Sequence, residues 1–214
     1  MGDYLSLLID GVWITLVVTF GSFAIGSVLA LPIVLARRAP SVLIRAVARA
    51  YVDLFRGVPP IVWLFLIFFG LGTQEQLRID PIPAALVGFG IISSAYISEI
   101  YRGALIGVDR GQFEAADALG LTRAAALFTI VVPQAFRIAL PGTATYLVGL
   151  LKDTAIASTI GVQDITFIAS SEAARTLEGL DVFSVAAVLY LLLSIPLAIL
   201  SRTLHRRLDR SAAA

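Results

Sequence analysis

Long stretches of this sequence carry no charged residue, and a soluble fold offers no place for them. The longest, residues 11–36, has 26 residues, and three more of 18 to 20 residues lie at 57–74, 81–98 and 182–201. A helix that crosses the hydrocarbon core of a bilayer needs about 20 mainly apolar residues. These runs alone therefore predict four transmembrane helices.

A fifth apolar stretch, residues 124–151, is interrupted only by Arg137. Charged residues make up 14% of the 214 residues and hydrophobic residues 58%, whereas a soluble domain is about 25% charged. Five spans leave little chain for a soluble domain. We expect a single all-α polytopic membrane domain over residues 1–214, with five transmembrane helices at about 11–36, 57–74, 82–101, 134–152 and 182–203.

The termini and the rare residue types exclude several kinds of site. The N-terminal sequence MGDYLSLLID lacks the positive region of a cleaved signal peptide, so none is expected. The absence of cysteine excludes disulfides and thiolate metal sites. His205, the single histidine, lies in a basic tail, and we expect no metal site, no cofactor and no catalytic residue in this chain.

The arginines are distributed unevenly between the two sides of the predicted membrane domain. Only Arg78 and Arg175 fall on the side of the second and fourth inter-span loops. Because Lys and Arg collect in cytoplasmic loops, we expect the N-terminus outside and the C-terminus inside. The twelve arginines on the predicted cytoplasmic side are Arg37, Arg38, Arg45, Arg49, Arg56, Arg102, Arg110, Arg123, Arg202, Arg206, Arg207 and Arg210.

The predicted cytoplasmic loop between the third and fourth spans contains a short helical sequence, QFEAADALGLT, within region 110–122. Asp109 followed by Gln112 resembles a capping box, and Gly120 suits a helix C-terminus. Glu114 and Asp117 would share one face of this helix. A second helical run follows and is expected to stop before Pro133.

Small side chains on a neighbouring face of this loop helix would let another protein approach its backbone closely. This small apolar face consists of two alanines and one leucine: Ala115, Ala118 and Leu119. The two acids could then meet a basic partner at the edge of the contact. Most short loop helices merely connect two spans, so the local pattern alone leaves both interpretations open.

A longer pattern resembles the cytoplasmic signature of ABC-importer permeases. In EAADALGLTRAAALFTIVVP the matching positions are Glu114, Ala115, Ala116, Gly120, Ile130 and Pro133, and Val132 stands where the family usually has Leu. Three further stretches resemble the polar amino-acid subfamily: LFRGVPPIVWLFLIFFGLG, SAYISEIYRGALIGVDRGQFEAADALG and LLKDTAIASTIGVQDI. The resemblance runs in order from about residue 54 to residue 165.

This resemblance implies a type I ABC importer permease fold in the bacterial cytoplasmic (inner) membrane. The loop helix would be the coupling helix that docks on a separate ATPase subunit, and it implies a docking role for Glu114, Ala115, Ala116, Asp117, Gly120 and Pro133. The implied partners are two ABC ATPase copies, a second permease subunit (identical or homologous), an extracytoplasmic substrate-binding protein and a polar amino acid. Transport would proceed by alternating access.

The residues independently place ATP hydrolysis elsewhere. A P-loop requires Gly-x-x-x-x-Gly-Lys-Ser/Thr, and Lys152, the only lysine, stands in the sequence LLKDT. ATP and Mg²⁺ are therefore expected in the partner ATPase, and this chain is expected not to be an enzyme.

Placing a charged or polar side chain within a span costs free energy, so its presence there suggests a function. The polar residues in or beside the spans are therefore candidates for the substrate path. They are Arg56, Glu99, Arg137, Lys152, Asp153, Thr154 and Ser158. Residues 155–162 are too short to cross the membrane again, which predicts a broken helix that returns towards the membrane. In the alternative interpretation Glu99 simply pairs with Arg102, Lys152 and Asp153 neutralise each other, and Ser94 and Ser98 serve helix packing.

Other classes of membrane protein remain as alternatives. An ion-coupled secondary transporter would need acidic residues at mid-span, and here they lie mostly at loop ends. An ABC importer for a different small polar solute would share every feature above. A membrane scaffold or channel subunit would explain the hydrophobicity but not the signature.

Overall fold

A computed structural model describes residues 2–70 and 79–212, with side chains described for 4–70 and 79–206. Every regular element in these ranges is helical, which confirms the all-α prediction. Arg78, which entered the topology count, lies outside the described residues. The α-helices are α1 (Gly2–Leu8), α2 (Asp10–Arg37), α3 (Val42–Gly57), α4 (Pro60–Phe65), α5 (Pro81–Ile106), α6 (Arg110–Ala118), α7 (Arg123–Ala126), α8 (Val132–Asp153), α9 (Ile165–Thr176) and α10 (Gly179–Ala212).

Four continuous helical segments of the described chain are long and apolar enough to cross a membrane: Tyr4–Arg37, Pro81–Ile106, Arg123–Ile160 and Gly179–Arg206. The predicted spans 11–36, 82–101, 134–152 and 182–203 lie within them. A fifth candidate joins α3 to α4 and its π-helical continuation, Pro60–Gly70, through a bend of 103°. Pro59 and Pro60 mark this bend, because proline cannot donate a helical hydrogen bond. Residues 71–74 of the predicted span 57–74 lie outside the described residues.

Helices α2 and α5 pack closely through small residues, as membrane helices do where no hydrophobic effect drives them together. A Cβ added to Gly90 of α5 would lie 2.6 Å from Cγ2 of Ile25 in α2. The main core takes residues from α2, α4, α5, α8 and the turns after α8. Its largest buried members are Val18, Leu64, Phe89, Ile92, Leu150 and Ile160.

The prediction that a helix stops before Pro133 is wrong. A π-helical turn over Leu127–Val131 follows α7, and α8 continues through Pro133 at its first turn. The amide of Val132 already bonds to the Leu127 carbonyl, five residues back. Because this wider turn interrupts the regular i to i−4 pattern, the missing N–H of the proline removes no regular bond.

α8 ends at Asp153, as the predicted end of the fourth span at residues 152–154 requires, but no sharp break follows it. The chain leaves α8 directly into a 3₁₀-helix over Thr154–Ile160, and the whole segment from Arg123 forms one candidate span. It turns only at Gly161, whose φ of 91° suits a residue without a Cβ. The 3₁₀ turns are stabilised locally, since the Ser158 hydroxyl donates to the Ala155 carbonyl at 2.8 Å.

Candidate functional site

Three residues separate the end of α5 at Ile106 from the start of the loop helix, α6, at Arg110. Asp109 caps it, with its carboxylate accepting from the amide of Gly111 at 2.6 Å. The predicted capping box is wrong in its second half, because Gln112 does not reach back to the cap. Its side-chain oxygen instead accepts from Nε2 of Gln134 in α8 at 3.0 Å. An amide pair thus joins the loop helix to α8.

Gly120 ends the loop helix, as the sequence predicts. Its φ is +70°, and its amide donates to the carbonyl of Asp117 at 3.0 Å. The amide of Leu121 reaches back to the Ala116 carbonyl, also at 3.0 Å. These two bonds form a Schellman motif, which fixes the direction in which the chain leaves α6.

The loop helix presents a mixed acidic and apolar surface. Glu114, Ala115 and Asp117 are exposed, and Leu119 is 77% exposed just beyond the helix. Ala116 is only 1% exposed and faces the rest of the chain. Of the residues implied to dock, Ala116 therefore packs against the rest of the chain, while its neighbours form the solvent-exposed surface.

A small hydrophobic cluster holds this region between the ends of two spans. Ala104 lies near the C-terminus of α5 and Val108 immediately after it, and Val131, Ala135 and Ala139 come from the π turn and α8. All five are buried. The cluster thus packs the end of α5 against α8 on either side of the loop helix, and Val108 lies two residues before that helix begins. Pro133, which the resemblance also implied, lies exposed in the first turn of α8.

Glu99 in α5 is held by two arginines. Its Oε1 pairs with Nη1 of Arg37, the last residue of α2, and its Oε2 lies 2.9 Å from Nη2 of Arg102. The side chains of Arg37 and Glu99 are 13% and 19% exposed. Sequence reasoning found the Arg102 pairing as an alternative but missed Arg37, which it counted only as a loop charge.

An aromatic and polar cluster lies where α3 crosses α5. The guanidinium carbon of Arg56 stands 5.2 Å from the ring centroid of Tyr96, a cation–π contact. The Tyr96 ring stacks on Tyr146 of α8 at 5.4 Å, and the Tyr146 hydroxyl donates to Oγ of Ser93 at 2.9 Å. Sequence reasoning proposed Arg56 but missed Tyr146; an isolated tyrosine inside an apolar span was the available signal.

The other candidates for the substrate path are dispersed. Lys152 and Asp153 are exposed at the end of α8, whereas Thr154 is buried and bonds to Oγ1 of Thr19 in α2 at 3.1 Å. Arg137 is exposed on α8. Within the described part of the chain, the structure contains no group of three or more His, Asp or Glu side chains placed to hold a metal ion.

Asp164, which sequence reasoning did not select, is a buried carboxyl group outside the spans. Its Oδ1 caps α9 by accepting from the Phe167 amide at 2.8 Å, and its residue is 1% exposed. Burial raises the pKa of Asp164 to about 7, although backbone amides, including that of Phe167, oppose the shift. The Tyr190 hydroxyl lies beside it and bonds to Oγ1 of Thr166 at 2.9 Å.

Comparison with known proteins relates this architecture to transport systems. The chain is 36% identical over 208 residues to the L-cystine transport system permease protein TcyB of Bacillus subtilis (strain 168), which covers 97% of this chain and 88% of the relative. It is 35% identical over 203 residues to the glutamine transport system permease protein GlnP of Escherichia coli (strain K12), covering 94% and 93%.

A solved structure described as "Crystal structure of an amino acid ABC transporter with histidines" has the same helix arrangement, with a TM-score of 0.90. It is 34% identical and covers 97% of this chain and 96% of its own. The fold is that of a type I ABC importer permease. Residues 10–213 match the family described as "Binding-protein-dependent transport system inner membrane component". The chain therefore belongs to the family of inner membrane components of binding-protein-dependent transport systems.

Proposed function

We propose that this chain is the permease subunit of an ATP-driven importer of polar amino acids and works by alternating access in the bacterial inner membrane. The relatives that support this substrate class are described as carrying L-cystine and glutamine. The solved structure with a TM-score of 0.90 is described as an amino acid ABC transporter. The choice among amino acids belongs to the extracytoplasmic binding protein that delivers them.

The observation that carries the proposal is that the loop helix exposes one face to solvent while its other face packs on the rest of the chain. It exposes Glu114, Ala115 and Asp117, while the buried Ala116 and the bond from Gln134 of α8 to Gln112 hold it against the segment that leads into α8. A helix that is exposed on one face and packed on the other could transmit a movement of a docked subunit to the spans. We propose that it is the coupling helix and docks on a separate ATPase, with Glu114 and Asp117 contacting basic residues of that subunit.

The proposed orientation has the N-terminus outside and the loop helix in the cytoplasm, which the excess of arginine on that side supports. Two ATPase copies would bind ATP and Mg²⁺, since the single lysine of this chain excludes a P-loop of its own. A second permease subunit, identical or homologous, would complete the path. Each subunit would then receive one ATPase.

The proposed substrate path passes the cluster of Arg56, Tyr96 and Tyr146. An amino acid carries a carboxylate and an ammonium group, and Arg56 offers a cation beside two aromatic faces. Asp153 at the end of α8 would supply the opposite charge, with Lys152 beside it. Ser158 and Thr154 follow in the 3₁₀ turn, and Arg137 would lie towards the opposite, N-terminal end of α8.

The test is uptake by proteoliposomes that contain this chain, its ATPase and its binding protein. We expect accumulation of a labelled polar amino acid that requires both ATP inside and the binding protein outside. Uptake that is driven by a sodium or proton gradient without ATP would instead identify a secondary transporter. ATP-driven uptake of other polar solutes, with no amino acid carried, would overturn the substrate class alone.

A further inference from the structure

The ion-pair group of Arg37, Glu99 and Arg102 joins two spans at one end of the bundle. Glu99 and Arg102 are one turn apart on α5, but Arg37 is the last residue of α2. The carboxylate therefore fixes the end of one helix to the side of another. Arg49, Asp53 and Arg56 of α3 lie within electrostatic reach of Arg37 as well.

Loss of this carboxylate would leave two guanidinium groups close together without their shared counter-ion. Charges that are largely shielded from water keep most of their interaction strength, and an unpaired one is strongly unfavourable. The end of α2 would then separate from α5. The glycine contacts between these helices lie farther along, around Gly26 and Gly90.

The same end of α5 leads into the loop helix. Glu99 precedes the end of α5 at Ile106 by two turns, and Val108, two residues before α6, belongs with Ala104 to the cluster that packs α5 against α8. A displacement of the loop helix therefore reaches α5 close to Glu99. From there the ion pair with Arg37 is a direct route to α2.

We propose that Glu99 is a positioning residue that couples α2 to the loop helix, by making the ends of α2 and α5 move as one body. The proposal rests on the function proposed above, in which the loop helix receives the movement of the ATPase. Arg37 is the residue through which Glu99 acts on α2. Arg102 keeps the Glu99 carboxylate in its orientation.

The decisive measurement is the number of amino-acid molecules taken up per ATP hydrolysed, in proteoliposomes with the full transporter. We expect Glu99→Gln to lower this ratio about tenfold, while ATP hydrolysis stays within about twofold of the wild type. Arg37→Gln should give the same loss, and the double variant should be no worse than either single one, because they break one interaction. Glu99→Asp, which keeps the charge, should restore part of the ratio.

Glu172→Gln is the matched control. Glu172 pairs with Arg175 at the same i, i+3 spacing, but that pair lies within the single helix α9. It should leave the ratio unchanged. A role of Glu99 in folding alone would reduce uptake and hydrolysis together, and would overturn the proposal. If Glu99→Gln fails to assemble, the ratio of Arg37→Gln decides: a value equal to the wild type would overturn the proposal.

The two proposals fail in different ways. If wild-type transporter shows no ATP-dependent uptake, the proposed function is wrong. If wild-type uptake is ATP-dependent but the Glu99 and Arg37 variants keep the wild-type ratio, only the coupling role of Glu99 is wrong.

Discussion

Gly26 in α2 lies so close to Ser93 in α5 that a Cβ on Gly26 would be 2.3 Å from the Ser93 Cβ. We expect Gly26→Ala to destabilise the fold by about 1–3 kcal/mol, because neither backbone can give way without disturbing the α2–α5 contact. Gly103→Ala is the control, since nothing lies within 4 Å of its added methyl group. The thermal unfolding midpoint in detergent should fall for the first variant and stay or rise slightly for the second. Equal midpoints would contradict the close packing.

Glu114→Lys should weaken the binding of the ATPase about tenfold without changing the unfolding midpoint of this chain. The reason is that Glu114 is exposed on the loop helix and the reversal places a cation against the proposed basic partner surface. The measurement is the dissociation constant for the purified ATPase. Asp80→Lys is the control, because Asp80 is exposed at the opposite end of α5 and makes no side-chain capping bond. A normal dissociation constant for Glu114→Lys would argue against docking there.

Asp164 should make the stability of the fold depend on pH. Its pKa rises from 3.8 in the unfolded chain to about 7 in the fold, so the folded state binds the extra proton between these values. Stability should therefore be greatest below about pH 4 for this group, fall as pH rises to about 7, and level off above. The loss is at most about 4 kcal/mol at 1.36 kcal/mol per pH unit.

Asp164→Asn keeps a side chain that can cap α9 but cannot ionise. Unfolding midpoints measured from pH 5 to pH 8 should decline in the wild type and decline less in this variant. Asp80→Asn, at an exposed position, should behave as the wild type does. Parallel curves for wild type and Asp164→Asn would show that the carboxyl group does not titrate in this range.

Arg56→Gln should raise the KM of uptake about tenfold while the ATPase remains bound. The change removes the cation that stands over Tyr96 on the proposed path, whereas the fold loses only one cation–π contact. Uptake kinetics in proteoliposomes provide the measurement. Arg38→Gln is a suitable control, since Arg38 is exposed just beyond α2. An unaltered KM for Arg56→Gln would remove this residue from the path.

The spans and the end of the loop helix at Gly120 could be predicted because each depends on local chemistry. Charge-free length predicts a span, and glycine tolerates the positive φ that ends α6. The continuation of α8 through Pro133 could not be predicted, because it depends on a π turn that sequence periodicity does not indicate. Arg37 and Tyr146 were missed for another reason: their roles arise only when residues distant in sequence meet in the fold.

Tyr51 of α3 bonds through its hydroxyl to Oγ of Ser94 at 2.7 Å, and Ser94 stands near the middle of α5, which is about 39 Å long. The second half of α3, with Asp53 and Arg56, therefore lies beside the middle of α5. Charged groups persist within a bilayer only beside water or another protein surface. If α5 spans the bilayer, we therefore expect this side of the chain to face water or another subunit, with lipid around the other sides.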